Sequence, residues 1–339
     1  MKEVSIIGLD LAKKVFEVHG VDAQGEVVVR RSLRRGQLLV WFGRLAPCLV
    51  GMEACATAYH WARELGRLGH TVKLIPPSYA KAYVRRNKND AADAAAICEA
   101  VGRPSMRFVA IKSEAQQASA AVHKVRELLM KQRTMTILAL RSHLAEFGVV
   151  VPEGTRHIAA LTAIVANERD ERIPAALREI LKALVETLEG LETRIDAIDR
   201  AMLAAGRNNA TFRHLITIPG FGPILSSAMT AMVVDPNAFR SARDFAASLG
   251  LVPRQDGTGG KVKLGPISKR GNGHLRRLLV NGAMAVLNTR RAKEDPWLAK
   301  LLATKKRKLV AVALANKMAR IAWALMMRNE DYRVHPAAA

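Results

Sequence analysis

"EVSIIGLD", residues 3–10, is the stretch on which the fold turns. It is a short apolar run that closes on an acid, Asp10, and it reads as a buried strand. Two further strand-like segments follow at residues 15–21 and 26–31, separated by the turn signal "DAQG". Residues 38–45 read as a helix, "CLVGME" (48–53) as a strand, 57–68 as a helix and "TVKLIP" (71–76) as a fifth strand. Strands alternating with helices at this spacing predict an α/β layer structure. In such sheets chemistry gathers at the carboxyl ends of strands, which is where Asp10 and Glu53 fall.

A second pair of acids lies downstream in "NKNDAADAAAI", residues 87–97. Asp90 and Asp93 are three apart on an alanine-rich, helix-favouring segment, so both side chains share one face and repel each other. Taken alone, the pair reads as a helix start, with Asn89 or Asp90 as the N-cap and acids near the positive end of the dipole. Taken with Asp10 and Glu53, it makes four carboxylates that an α/β fold can bring to one locus. Arg85, Arg86 and Lys88, just upstream, are placed to meet a phosphate backbone.

The chain has 339 residues, 53 Lys and Arg against 30 Asp and Glu, and a net charge of +23. That excess draws polyanions at range and binds them with strong salt dependence, so nucleic acid is the expected partner. Neither a signal peptide nor an uninterrupted apolar run of spanning length is evident, which argues against a membrane surface. Cys48, Cys55 and Cys98 have no paired metal-type spacing, and their odd count fits a reducing cytosol better than a disulfide framework.

Beyond residue 114 the pattern turns helical. Apolar residues recur at spacings of three and four over 114–147 and again over 174–205, predicting an antiparallel hairpin, a dimerising coiled coil or simple packing helices. "LITIPGFGPILSSAMTAM", residues 215–232, resembles a helix-hairpin-helix element whose glycine turn offers backbone N–H groups to phosphate; a plain helix-to-helix turn is the competing reading.

"GLVPRQDGTGGKVKLGPISKRGNGHLRRLL", residues 250–279, reads as a basic glycine-rich loop. Fifteen basic residues stand against three acids between Arg254 and Lys308. Arg254, Lys261, Lys263, Lys269, Arg270, Arg276 and Arg277 are candidate phosphate contacts, and Gly257, Gly259 and Gly260 leave Thr258 on a backbone able to approach a ligand closely. "GTGGK" lacks the spacing of a nucleotide P-loop.

Five blocks, "IIGLDLAKKVFEVHGVD", "GMEACATAYHWARELGRLGHTVKLIPP", "NKNDAADAAAI", "ITIPGFGPILSSAMTAM" and "FAASLGLVPRQDGTGGKVKLGPISKRGNGHLRRLLVNGA", together resemble the DEDD insertion-sequence transposases related to the Piv-type DNA invertases. The resemblance spans nearly the whole chain. It implies an α/β plus α architecture: an N-terminal RuvC-like domain of the RNase H fold (1–110), a coiled-coil helical region (111–208) and a mainly helical C-terminal transposase domain (209–339).

It further implies that Asp10, Glu53, Asp90 and Asp93 hold divalent metal, two ions of Mg2+ or Mn2+, beside the DNA strand being exchanged. The family's nucleophile is a serine just before a glycine in the basic loop. Thr258 matches that position here, a departure that keeps the hydroxyl, and Ser268 is the reserve candidate. Donor and target DNA, a structured guide RNA encoded by the element, a dimer or tetramer, and a bacterial cytoplasmic location at the nucleoid complete the expectation. The competing functions are a RuvC-like junction-resolving nuclease that uses water, and a non-catalytic nucleic-acid-binding protein whose acids are structural.

Overall fold

The computed structural model describes residues 3–83 and 89–333. The chain divides into two compact units, Met1–Ser113 and Glu114–Ala339.

The first unit is built on a five-stranded mixed sheet. β1 (Ile6–Asp10), β2 (Val15–Val21) and β3 (Val27–Arg34) form an antiparallel meander, and β4 (Leu49–Glu53) and β5 (Thr71–Ile75) extend it in parallel, giving the order β3-β2-β1-β4-β5. The β2–β3 turn is set by Asp22, whose Oδ1 accepts the backbone N–H groups of Gln24 (3.1 Å) and Glu26 (2.9 Å), while Gly25 takes a left-handed φ of 85°. The crossovers to the parallel strands run through α1 (Leu38–Phe42) and α2 (Ala58–Arg67). These cover one face of the sheet, where Ile7, Leu9, Phe16, Val50 and Met52 pack with Leu38, Phe42, Trp61 and Leu65. After the short α3 (Pro77–Ala80), α4 (Asp90–Val101) covers part of the opposite face.

Two glycines let α4 lie on the sheet. Gly8 and Gly51 are paired across β1 and β4. A Cβ on Gly8 would fall 2.0 Å from the carbonyl oxygen of Ala94, and one on Gly51 would fall 2.7 Å from Cβ of Val101. Only a residue without a side chain admits so close a helix.

The second unit is mostly helical: α5 (Glu114–Ala145), α6 (Ile158–Ala166), α7 (Ala175–Arg207), α8 (Ala210–Leu215), α9 (Pro223–Met232), α10 (Ala242–Ser248), then β6 (Pro253–Thr258), β7 (Lys261–Ile267), α11 (Gly273–Leu287), α12 (Arg291–Glu294), α13 (Pro296–Thr304) and α14 (Arg307–Arg328). α5 and α7 are antiparallel, as the ion pairs Arg126–Asp199 (2.8 Å) and Arg133–Glu192 (2.7 Å) require. By length and composition α14 could cross a membrane, yet half of its most apolar stretch is buried within this unit, where it packs on α10 and α11.

Within the second unit α9 packs on both α5 and α7, and His123 of α5 shares a hydrogen bond with Ser227 of α9 (3.1 Å). One expectation needs correction. The basic stretch read as a loop is a β-hairpin, β6–β7, because Gly259 and Gly260 supply the two consecutive positive φ values, 57° and 80°, of a tight two-residue turn. The turn between α8 and α9 has a packing reason for its glycine: Gly220, at φ 87°, lies against the backbone of Gly282 in α11.

Candidate metal and nucleic-acid site

Side chains two residues apart on a strand share a face. Asp10 therefore points to the same side as Gly8, and Glu53 to the same side as Gly51, the side that α4 covers. α4 crosses Gly8 at Ala94 and Cys98, so the turn before Ala94 stands over the end of β1. That turn carries Asp90 and Asp93. Its start is fixed by Asn89, whose side chain accepts the backbone N–H of Ala92 at 2.7 Å, so the capping role belongs to Asn89.

Asp10, Asp90 and Asp93 each offer a carboxylate oxygen, and these oxygens lie within 4.8 Å of one another. Asp10 is pushed up from 3.8 to about 6, first by burial, then by the charges of Asp93, Asp90 and Glu53; a hydrogen bond from the Leu11 backbone opposes the rise. Glu53 thus belongs to the same electrostatic neighbourhood, although it lies outside the group of three mutually close oxygens. Carboxylates crowded to this degree repel one another and any phosphate, so the arrangement is costly without a cation. The donor chemistry fits one: hard oxygen ligands are what Mg2+ and Mn2+ select.

Two further features of this face lay outside the sequence reading. In the antiparallel register Asp10 pairs with Glu17, which pairs with Ser32; Gly8 pairs with His19, which pairs with Arg30. Rows of polar side chains thus run from the acids across β2 and β3. The tripeptides "GLD" and "GME", each a glycine two residues before its acid, carried the signal that a helix would lie on this face.

Arg85, Arg86 and Lys88 lie outside the described residues. The remaining candidates belong to the second unit. Thr258 is exposed at the end of β6, paired with Lys261 just before the hairpin turn, and alternation puts Arg254, Asp256, Thr258, Lys261 and Lys263 on one face of the hairpin. Val262 and Leu264 occupy the other face, 59% and 67% exposed. Ser268 is half-buried at the hairpin base, its hydroxyl accepting the backbone N–H of Arg270 at 3.5 Å. Lys269 and Arg270 are exposed beside it.

Arg276 and Arg277 are engaged by the protein itself. Nη1 of Arg276 donates to the carbonyls of Leu249 (2.9 Å) and Arg270 (2.7 Å), closing the base of the hairpin, and Arg277 pairs with Glu127 of α5 at 2.9 Å.

The first unit thus gathers carboxylates at the ends of two parallel strands, and the second carries an exposed basic hairpin. Two family models match this chain, one described as "Transposase", of the DEDD type, over residues 7–149, and one described as "Transposase IS116/IS110/IS902 family" over residues 212–298. A probable family 20 transposase of Pseudomonas aeruginosa is 49% identical over 97% of this chain and 99% of its own. The transposase for insertion sequence element IS1328 of Yersinia enterocolitica is 40% identical over 95% and 97%. The transposase for insertion sequence element IS1111A of Coxiella burnetii is 39% identical over 98% and 92%. The chain belongs to the DEDD insertion-sequence transposase family.

Proposed function

We propose that this chain is the recombinase of an insertion sequence, cutting and rejoining DNA at a divalent-metal centre formed by Asp10, Asp90 and Asp93 with Glu53 at its edge. The observation that carries the reading is the convergence of the three aspartate oxygens within 4.8 Å. The sheet order β3-β2-β1-β4-β5, with acids at the ends of β1 and β4 and the start of α4, supports reading the first unit as a RuvC-like domain of the RNase H fold. Residues 111–208 are then the coiled-coil region and 209–339 the transposase domain.

When bound, Mg2+ or Mn2+, as one ion or two, neutralises charge on the phosphoryl group and acts as a Lewis acid toward its oxygens. Asp10, Asp90, Asp93 and Glu53 hold that charge at the end of the sheet. The Thr258 hydroxyl attacks phosphorus and gives its proton to solvent, the P–O bond to one ester oxygen breaks and that oxygen takes a proton from solvent to leave as a free DNA hydroxyl, so one phosphodiester is exchanged for another and no external energy is consumed. Exposure of Thr258 at a basic hairpin tip supports this role, and the half-buried Ser268 at the hairpin base is the weaker alternative. A structured RNA from the element guides the choice of donor and target DNA by base pairing, and the active form is a homo-oligomer.

The test is recombination of a synthetic donor and target with the non-coding RNA that flanks the gene. Loss of recombination in both Asp10→Asn and Thr258→Ala, with nucleic-acid binding retained, is expected. Activity of Thr258→Ala with no covalent protein–DNA adduct on denaturing gels would replace this reading with a water-using nuclease, and metal-independent behaviour in every assay would leave a binding protein only. Sequencing the RNA that co-purifies with the protein tests the guide.

A further inference from the structure

Beside the acid cluster runs a groove that no candidate role explains. α4 covers β1 and β4 closely, but its other flank stands over β2 and β3 and leaves a space of about 380 Å³ lined by Glu17, His19, Arg30, Ser32, Ala92 and Ala95. A second space of about 910 Å³ shares His19, Arg30, Ala92 and Ala95 and continues along the helix toward Gly102. Volumes of ~300–1,000 Å³ are those of sites that hold ligands.

The four polar side chains of the groove share a face and an alignment. Glu17 and Ser32 stand in the cross-strand row of Asp10, and His19 and Arg30 stand in the row of Gly8. None of the four has a hydrogen-bond or ion-pair partner among the described residues. From strand rise and spacing, Arg30 lies about 12 Å from Asp10 along the face, a reach of a few nucleotides. Burial and the neighbouring Arg30 push the His19 pKa below its ordinary value, which favours the neutral ring, one donor and one acceptor with no charge.

The helix side of the groove is alanine where packing does not demand it. Ala94 and Ala96 are buried, but Ala92 and Ala95 are only half-buried, and a Lys or Glu there would serve a helix surface as well. Small side chains keep the groove open.

We propose that this groove is the track for the DNA strand that carries the reacting phosphodiester, with Arg30 holding a backbone phosphate a few nucleotides from the acids and the alanines of α4 giving room for sugar and base. The proposal rests on the acid cluster being the catalytic centre. DNA is the occupant because one end of the groove is lined by Glu17 and Ser32, which stand in the cross-strand row of Asp10, so a strand lying along it has its next phosphates beside the acids.

The experiment uses the full chain and a single-stranded oligonucleotide from the element's terminus bearing diazirine-modified nucleotides. Cross-linked peptides are mapped by mass spectrometry, binding is measured against salt for wild type, Arg30→Ala and Ala95→Leu, and melting temperatures check that both variants fold. Cross-links within residues 15–34 and 90–101 are expected. Arg30→Ala should lower the slope of log affinity against log salt by ~0.7, the contribution of one phosphate on a single strand, and Ala95→Leu should remove the groove cross-links.

Cross-links confined to residues 253–267, with both variants binding as wild type, would overturn the proposal. So would preferential cross-linking of the RNA version of the oligonucleotide. Mn2+ binding by electron paramagnetic resonance on wild type and Asp10→Asn is read separately: unchanged binding in Asp10→Asn defeats the catalytic-centre reading, whereas lost binding together with absent groove cross-links defeats the track alone.

Discussion

Gly8 lies directly beneath the backbone of Ala94, so that the Cβ of any other residue would sit 2.0 Å from the Ala94 carbonyl oxygen. The contact is backbone against backbone, and no rotamer change relieves it. Gly8→Ala must therefore lift α4, and Asp90 and Asp93 with it, away from Asp10. The expected cost is about 3 kcal/mol, the upper end for overpacking a filled interior, accompanied by loss of divalent-metal affinity. Gly36→Ala, where an added Cβ meets nothing within 4 Å, is the control. Thermal melts with and without Mn2+ check both effects.

The pH dependence follows from Asp10. Its pKa is raised from 3.8 to about 6 by burial and by Asp93, Asp90 and Glu53. Between about pH 4 and 6 the folded chain keeps a proton that the unfolded chain has lost, so stability falls as pH rises through that window. Metal-free protein should melt lower at pH 7 than at pH 5 for this reason. Asp10→Asn should flatten that slope and raise the melting temperature at pH 7, while saturating Mg2+ should stabilise wild type more at pH 7 than at pH 5. Scanning fluorimetry across this pH range reads all three.

Much of the first unit is legible from residues 3–76, because each strand there has an apolar face to bury and the segments fall within a few residues of the observed elements. The four acids were legible for the same reason, standing at strand ends and at a helix start. The hairpin of residues 253–267 was not, since both its faces are largely exposed and no burial marks it as strand. Its signals were the glycine pair and the alternation of Lys261, Val262, Lys263 and Leu264. The roles of Gly8 and Gly51 escaped because their reason, the close passage of α4, is a tertiary contact. The packing of α9 on α5 and α7 is tertiary as well and left no mark in the sequence pattern.

The chemistry assigned to Thr258 separates a covalent from a hydrolytic route. Thr258→Ser should keep both recombination and the protein–DNA adduct, with a rate at or above wild type because the methyl group no longer crowds the attack. Thr258→Ala should lose both while binding DNA as before. Denaturing gels with end-labelled DNA resolve the adduct.

Two kinds of arginine and lysine at the hairpin should behave differently. Lys261 and Lys263 are exposed, so replacing either with Ala should leave stability unchanged and lower the salt slope of duplex binding by ~0.9 per phosphate lost. Arg276 holds the carbonyls of Leu249 and Arg270, so Arg276→Ala should cost ~1–3 kcal/mol by leaving acceptors unpaired. Urea melts and salt-dependent binding, measured on the same variants, separate the two roles.

The central claim is that Asp10, Asp90 and Asp93 form a divalent-metal centre. The direct measurement is a titration of the purified protein with Mn2+, followed by electron paramagnetic resonance, for wild type, Asp10→Asn and Asp93→Asn, with circular dichroism showing that each variant is folded. Saturable binding by wild type that both substitutions abolish or weaken at least tenfold is the result the account predicts. Equal Mn2+ binding by all three folded proteins would contradict it.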